Sequence, residues 1–227
     1  MRSLLLLEFL NMYRALHIII PILILPTIIL CSSIFLPFDQ GIFIFSSVFS
    51  MQMLMLLSPL LLSEILKGGW RLIYQAGIIY DTFKVIPTII FSSIIIALPA
   101  VSIFASLYTI LVSNLFSLTI FISLLSICLF SYAVGSFFKA LINDQIHALI
   151  LCILYEVVLL PFTMIINYYP TQNFSGMMWP LLILINNIVN PSVVHIEFEL
   201  ISNIECFSAY FFLVIISSWL LCRRIKL

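Results

Sequence analysis

Six apolar stretches, separated by short polar segments, dominate the pattern of this 227-residue chain. A membrane-spanning helix needs about 20 mostly apolar residues, and each stretch is close to or above that length. The predicted fold class is therefore an all-α membrane protein, formed as one domain over residues 1–227. The stretches predict six transmembrane helices at residues 17–36, 42–63, 86–111, 115–138, 146–166 and 204–222.

All the Lys and Arg residues fall in segments that this arrangement places on one side of the membrane. Cytoplasmic loops of helical membrane proteins are rich in Lys and Arg, and this bias sets their orientation. Six crossings return the chain to the side on which it began, so both termini are predicted to be cytoplasmic. The nine basic residues are Arg2, Arg14, Lys67, Arg71, Lys84, Lys139, Arg223, Arg224 and Lys226.

The first sixteen residues have an amphipathic pattern. Leu5, Phe9 and Met12 recur at helical spacing, whereas Glu8 and Arg14 belong to the opposite face. Such a pattern predicts a helix that lies in the membrane interface on the inner side. An inner extension of the first span is the alternative interpretation.

The longest outer segment, residues 167–203, lies between predicted spans five and six. Its apolar runs at 179–189 and 192–201 are too short to cross a bilayer, and Asn190 and Pro191 separate them. Apolar runs of about 10 to 14 residues are often re-entrant or interfacial. The pattern predicts a short helical hairpin that dips into the outer leaflet.

The composition argues against most soluble functions. Hydrophobic residues make up 64% of the chain and charged residues 8%, against about 25% charged in soluble domains. There is no basic face for nucleic acid, no glycine-rich phosphate-binding motif and no C-x-x-C pair. We expect a chain that is not an enzyme, binds no nucleic acid or metal, and has no nucleotide site of its own.

Two polar positions are candidates for a site. Glu156 lies in the middle of the fifth span, where ionisable residues are rare and are often functional. It either has a structural role, bonded to a neighbouring helix, or contributes to transport. His195 lies on the outer side with Glu197 and Glu199, and imidazole is a common ligand of haem iron and metals. A solvated interfacial histidine is the alternative for His195.

The inner loop between spans two and three combines charges of both signs with aromatic residues at helical spacing. This pattern predicts a short inner helix to which a separate motor protein docks, and a surface loop anchored by aromatic residues is the alternative. The candidate coupling residues are Glu64, Lys67, Trp70, Arg71, Tyr74, Gly77, Asp81 and Lys84.

Three short stretches carry a resemblance to a known family. They are Leu7-Glu8-Phe9-Leu10 with Arg14, then Leu61-Leu62-Ser63-Glu64 followed by Gln75-Ala76-Gly77, and the apolar Leu151 to Pro161 with Phe162. With the layout of the whole chain, they resemble the ABC-2 type permeases. Within that group they resemble the haem exporter protein B family, the permeases of cytochrome c maturation.

The resemblance implies a transport subunit rather than an enzyme. A separate ABC ATPase, protein A of that system, would dock on the inner loop, and proteins C and D would complete a complex around a homodimeric permease core. Haem is the implied substrate, either exported or released on its chaperone, and no cofactor is expected to bind this subunit directly. The implied location is the bacterial inner membrane, with the mitochondrial inner membrane as the alternative.

Two other functions remain open on the sequence. One is an ABC-2 permease for a lipid, drug or glycan. The other is a six-helix proton-channel or membrane-enzyme subunit, such as the ATP synthase a subunit. That second function needs an arginine in a late helix, whereas every arginine here lies outside the predicted spans.

Overall fold

The structure, a computed structural model, describes residues 16–35, 40–62, 82–113, 118–142, 144–168, 184–185, 188–189 and 196–225. These residues contain no strand. A π-helical turn at Thr109–Ser113 follows the third of their long helices. The six long helices in these ranges are α1 (Leu16–Ser32), α2 (Gln40–Leu62), α3 (Thr82–Tyr108), α4 (Leu118–Leu141), α5 (Gln145–Tyr168) and α6 (Ile196–Ile225).

Four helices of the described residues are long and apolar enough to cross a membrane. Their spanning segments are Gln40–Leu61, Val85–Leu111, Leu118–Leu141 and Leu200–Arg223. The coarser prediction, an all-helical chain compatible with a multi-pass membrane protein, is thereby confirmed. Shorter apolar segments occur in α1, at Ile19–Ser32, and in α5, at Gln145–Val158.

Helix α4 is the centre of the bundle. It packs against α2, α3, α5 and α6, and its contacts with α6 and α2 are the most extensive. Every residue from 126 to 136 is buried, so this part of the helix has no exposed face. A helix that is enclosed on all sides belongs to the interior of its protein. The other helices are therefore arranged around α4.

Close contact between α4 and α2 depends on Gly135. A methyl group added there would overlap the carbonyl oxygen of Leu56 and would lie 3.3 Å from Cγ of Pro59. Small residues at helix contacts allow backbones to approach each other in membranes, where van der Waals packing is a main source of helix association. The absence of a side chain at Gly135 thus sets the spacing of the two helices.

Two hydrogen bonds set the direction of α6. Ser126 of α4 donates to Asn203 at 2.6 Å, and Ser93 of α3 shares a 2.8 Å bond with Tyr210. At 1.5 Å per residue, Asn203 and Ser126 each lie about 10 to 12 Å from the start of their helix. Tyr210 lies about 21 Å from the start of α6, and Ser93 lies about 22 Å from the end of α3. These depths match when α6 runs parallel to α4 and antiparallel to α3.

The basic residues of the described helices lie at one end of the bundle. Gln145 Nε2 donates to the carbonyl of Leu60 at 3.1 Å, which joins the start of α5 to the end of α2. The start of α3 and the ends of α4 and α6 lie at this same end. The basic residues within the described ranges occupy these positions: Lys84 in the first turn of α3, Lys139 in the last turn of α4, and Arg223 and Arg224 at the end of α6.

The outward surface of the bundle carries long rows of apolar side chains. On α5 the exposed residues recur at helical spacing, and a similar row runs along α6. Large exposed apolar faces of this kind suit contact with lipid tails. The exposed apolar residues of α5 are Ile146, Ile150, Ile153, Leu154, Val157 and Val158, and those of α6 include Ile204, Phe211, Phe212, Ile215 and Trp219.

Two sequence expectations differ from the structure. Lys139 was expected in a short inner loop, but it is 4% exposed in the last turn of α4. Its methylene groups pack along apolar surface, and its charge interacts with the carboxylate of Asp144 just beyond the helix. Residues 192–201 were expected to form a separate short piece, but from Ile196 onward they belong to α6. No Pro or Gly interrupts the sequence from Ile196 to Ile225, so the helix continues.

Other expectations lie outside the described residues. The amphipathic helix of residues 1–16 does so, apart from Leu16, which begins α1. The first piece of the outer hairpin, residues 179–189, is described only at 184–185 and 188–189. There the hydroxyl of Tyr108 donates to the carbonyl of Ile188 at 3.0 Å, which brings this segment to the end of α3.

We predict that Gly135→Ala destabilises the protein by roughly 1–3 kcal/mol, the usual cost of overpacking a close contact. The obstruction is backbone of α2, which has less freedom to move aside than a flexible side chain. The same change at Gly41, a partly exposed residue in the first turn of α2, is the control and should be neutral or slightly stabilising. Thermal unfolding of the purified protein in mild detergent measures both, and equal midpoints for the two variants would contradict the assigned contact.

Candidate functional site

Glu156 of α5 is buried against α2, where it meets an amide. Its side chain is 3% exposed, and that of Gln52 is 1% exposed. Nε2 of Gln52 donates to Oε1 of Glu156 at 3.4 Å. The structure places Glu156 in the interior of the bundle and adds a partner on another helix. Its position within a membrane remains a prediction.

Gln52 was not among the candidate residues predicted from the sequence. A signal for it exists, because Gln52 is an amide in the middle of an otherwise apolar span. Side-chain amides within spans commonly form hydrogen bonds between helices. A single sequence does not indicate which of five other helices supplies the partner, so the pairing required the structure.

The pair lies near the middle of both helices. Gln52 is about 18 Å from the start of α2, and Glu156 is about 16 Å from the start of α5. These two helices begin at opposite ends of the bundle. The hydrocarbon core of a bilayer is about 30 Å thick. If α2 and α5 cross the membrane as predicted, both distances place the pair close to its centre, where an ionised acid costs about 2.5–3.5 kcal/mol on insertion scales.

Each member of the pair has one oxygen without a hydrogen-bond partner. Among the described residues, Oε1 of Gln52 and Oε2 of Glu156 are both buried and accept no hydrogen bond. Leaving a buried polar atom unsatisfied costs about 1–3 kcal/mol. Two such atoms at one contact leave the pair with unused acceptor capacity.

The surroundings of Glu156 are weakly polar. Cys152 precedes it by one helical turn and is fully buried. The ring of the neighbouring Tyr155 packs edge-on against Phe138 of α4, with 5.8 Å between ring centroids. Within the described ranges, no Lys, Arg or His forms an ion pair with Glu156. The site therefore offers no counter-charge for an ionised carboxylate.

A second buried polar cluster joins α4 to α6. Asn203 accepts a hydrogen bond from Ser126 and donates one to Ser123 at 3.2 Å. Both functional ends of the amide are therefore used, in contrast to the amide of Gln52. A fully bonded amide between two helices is typical of a structural contact. We assign this cluster to packing rather than to the functional site.

A third polar group caps α5 at its start. The backbone N–H of Ile146 donates to Oδ1 of Asp144 at 3.2 Å, and His147 donates to the other carboxylate oxygen. The bond from His147 lowers the pKa of Asp144, and the bond from Ile146 adds to this effect. Because the pKa is lowered, the cap is present above the usual range for a carboxyl group and is lost as the pH falls through the lowered value.

Most of the other candidate residues lie outside the described residues. This applies to His195, and of the coupling loop it applies to Glu64, Lys67, Trp70, Arg71, Tyr74, Gly77 and Asp81. Lys84 is placed in the first turn of α3 by its backbone. The docking prediction for this loop and the ligand prediction for His195 remain predictions. Among the described residues, no group of three or more His, Cys, Asp or Glu side chains has an arrangement suited to a metal ion.

No protein-family model, curated protein or solved structure matches this chain. Its class is therefore defined by the fold: the described part of the chain is a helical bundle with four helices able to cross a membrane and an acid–amide pair buried between two helices.

We predict that Asn203→Leu destabilises the protein by roughly 1–2 kcal/mol, because it removes both hydrogen bonds between α4 and α6. The control is Ser218→Ala, since the hydroxyl of Ser218 donates to the Val214 carbonyl of its own helix. That variant should unfold close to the wild-type temperature. Thermal unfolding in mild detergent makes the comparison, and a wild-type midpoint for Asn203→Leu would show that the cluster contributes nothing.

Proposed function

We propose that this chain is the permease subunit of an ABC-2 type transporter, driven by a separate ATPase. The observation that carries the proposal is the placement of basic residues at one end of the bundle. Lys84, Lys139, Arg223 and Arg224 all occur at the end of the bundle where α2 ends and α3 begins, next to the charged segment of residues 64–81. That end is the cytoplasmic side by the positive-inside rule, and it is where an ATPase binds a permease that lacks its own motor.

Six spans complete the proposed fold. In addition to the four long apolar helices, α1 packs against α2 and α3, and α5 packs against α4 and α2. With α1 and α5 as crossings, both termini are cytoplasmic. The amphipathic segment of residues 1–16 then lies on the inner surface, and residues 167–195 lie on the outer side before α6.

The end of α6 supports this orientation. The guanidinium carbon of Arg223 lies 5.4 Å from the centre of the Trp219 ring. Tryptophan is enriched at membrane interfaces, and arginine is enriched in cytoplasmic flanks. A tryptophan followed by a basic tail is therefore the expected end of a helix that leaves the membrane on its inner side.

The proposed process is c-type cytochrome biogenesis. The resemblance to the haem exporter protein B family supports it, through the stretches around Glu8, Glu64 and Pro161. On this proposal the partners are an ATPase of the protein A type, proteins C and D of the system, and a second copy of the chain. Haem is the substrate that the complex exports or releases on its chaperone. The bacterial inner membrane is the proposed location, with the mitochondrial inner membrane as the alternative.

One observation favours a second candidate, a proton-conducting subunit. The buried Glu156 has an unbonded oxygen and no basic partner in the described part of the chain. Buried acids of this type occur in proton relays. An ABC-2 permease for a lipid, drug or glycan would share the bundle and the docking loop. The ATPase that co-purifies with the chain therefore distinguishes a permease from a proton-conducting subunit.

We predict that Arg71→Glu weakens association with the ATPase without preventing membrane insertion. Reversing a charge at a complementary interface is costly, whereas the inner side stays net basic. Lys226→Glu, in the C-terminal tail, is the matched control and should leave association unchanged. Co-purification in mild detergent measures both, and c-type cytochrome content reports the cellular effect. Normal co-purification after replacement of all of residues 70–80 would rule out this docking site.

We predict that residues 40 and 173 lie outside and residue 144 lies inside. Reporter fusions at these three positions test the topology, because an enzyme reporter active only in one compartment gives opposite signals on the two sides. An external signal at residue 144 would overturn the six-span arrangement. Opposite sides for residues 175 and 192, tested by cysteine labelling, would instead add a seventh crossing.

A further inference from the structure

The two unbonded oxygens of the Gln52–Glu156 pair can bond to each other only if one of them carries a proton. Nε2 of Gln52 already donates to Oε1 of Glu156. The remaining oxygens, Oε1 of Gln52 and Oε2 of Glu156, are both acceptors while the acid is ionised. A carboxylic acid, in contrast, has one O–H donor and one carbonyl acceptor, which match the acceptor and donor of an amide. One proton therefore gives each unbonded atom a partner.

We propose that Gln52 and Glu156 form a proton-binding site between α2 and α5. In the loaded state Glu156 carries a proton on Oε2 and donates it to Oε1 of Gln52, while Nε2 of Gln52 donates to Oε1 of Glu156. The two side chains then close a ring with two hydrogen bonds. On release the O–H bond breaks, the proton passes to water, and Glu156 keeps the electron pair as a carboxylate.

A proton fits the pair better than a metal ion. The described site offers two oxygens with unused acceptor capacity, whereas Ca²⁺ takes about six to eight oxygen ligands and Mg²⁺ about six. Among the described residues no cluster of His, Cys, Asp and Glu is suited to a metal. A single water donating to both oxygens of an ionised pair is the competing arrangement, and the experiment below separates it from the proton.

The groups around the pair supply no positive charge to replace the proton. On α5 the neighbouring ionisable side chains are Cys152 and Tyr155, and α6 contributes Cys206 near Tyr155. Helix α2 contains no Asp, Glu, Lys, Arg, His, Cys or Tyr between residues 40 and 62. The ionisable residues of α4 are Cys128, Tyr132 and Lys139, and Lys139 interacts with Asp144 near the cytoplasmic end.

The proposed site couples proton binding to the docking of α5. Helix α5 is held to α2 by two side-chain hydrogen bonds in the described residues, one from Gln52 and one from Gln145. The bond from Gln145 involves no titrating group, whereas the ring at Glu156 exists only with the proton in place. Raising the pH should therefore loosen the middle of the α2–α5 contact while its inner end remains joined.

Infrared spectroscopy of the full-length protein in lipid bilayers tests the proton directly. At neutral pH the wild type should show the carbonyl stretching band of a protonated carboxylic acid, and Glu156→Gln should lack it. If the band is absent from the wild type at neutral pH, Glu156 is ionised and the water-bridged arrangement replaces the proposal.

Thermal unfolding across a pH series tests the ring. Glu156→Gln places an amide against the amide of Gln52, so both hydrogen bonds re-form without a titrating proton. Its midpoint should equal that of the wild type below the ordinary pKa of a glutamate carboxyl group and stay constant as the pH rises. The wild-type midpoint should fall over the same range, because folding then has to take up a proton. Gln52→Leu should lower the midpoint by about 2–4 °C at neutral pH, the shift expected for one lost interaction in a chain of this size.

The matched control is Gln145→Ala, which removes the other bond between α2 and α5. Its midpoint should be reduced by the same amount at every pH relative to the wild type. If Glu156→Gln loses as much stability as Gln52→Leu at neutral pH, the proposed ring of two hydrogen bonds between Gln52 and Glu156 is contradicted. These outcomes do not depend on the ATPase or the substrate, so they test the proton-binding site independently of the proposed permease function.

Discussion

The spacing between α4 and α2 is the constraint on which the bundle depends. In a membrane, lipid tails compete with side chains for apolar contact, so helices associate through close packing and through bonds between helices. Gly135 allows the backbone of α4 to reach the Leu56 carbonyl of α2. Because α4 also contacts α3, α5 and α6, its position relative to α2 determines where the other helices lie. The buried pair of Gln52 and Glu156 forms where α5 packs on this core.

Pro59 of α2 lies at this contact with Gly135 of α4, and α2 accommodates the proline there. Pro59 has no N–H, so the carbonyl of Met55 loses its usual partner within the helix. The hydroxyl of Ser58 donates to that carbonyl at 2.9 Å and replaces the missing bond. In α1 the carbonyl of Pro26 accepts a hydrogen bond from Ser47 of α2. The serines of these spans thus satisfy backbone groups that water does not reach, as a membrane requires.

Much of the fold follows from the sequence, because apolar length is a local property. The predicted spans overlap all six long helices of the described residues, and Glu156 stands out because an acid is rare in such a span. The partner of Glu156 did not follow, since pairing depends on how distant helices pack. The burial of Lys139 and the start of α6 at Ile196 were also missed. Both depend on where helices end, which hydropathy defines to within only a few residues.

The location of the polar pair gives it a mechanical consequence. α5 carries an apolar outer face and contacts α4 and α2, whereas the middle of α4, residues 126–136, is enclosed on all sides. A helix at the edge of a bundle separates from it at lower cost than a central helix, because fewer buried surfaces open. A pair that holds α5 in one protonation state and releases it in the other therefore acts on a helix that is able to move. Displacement of α5 would separate Glu156 from Gln52, and of the two described side-chain bonds between these helices this is the one that depends on the proposed proton.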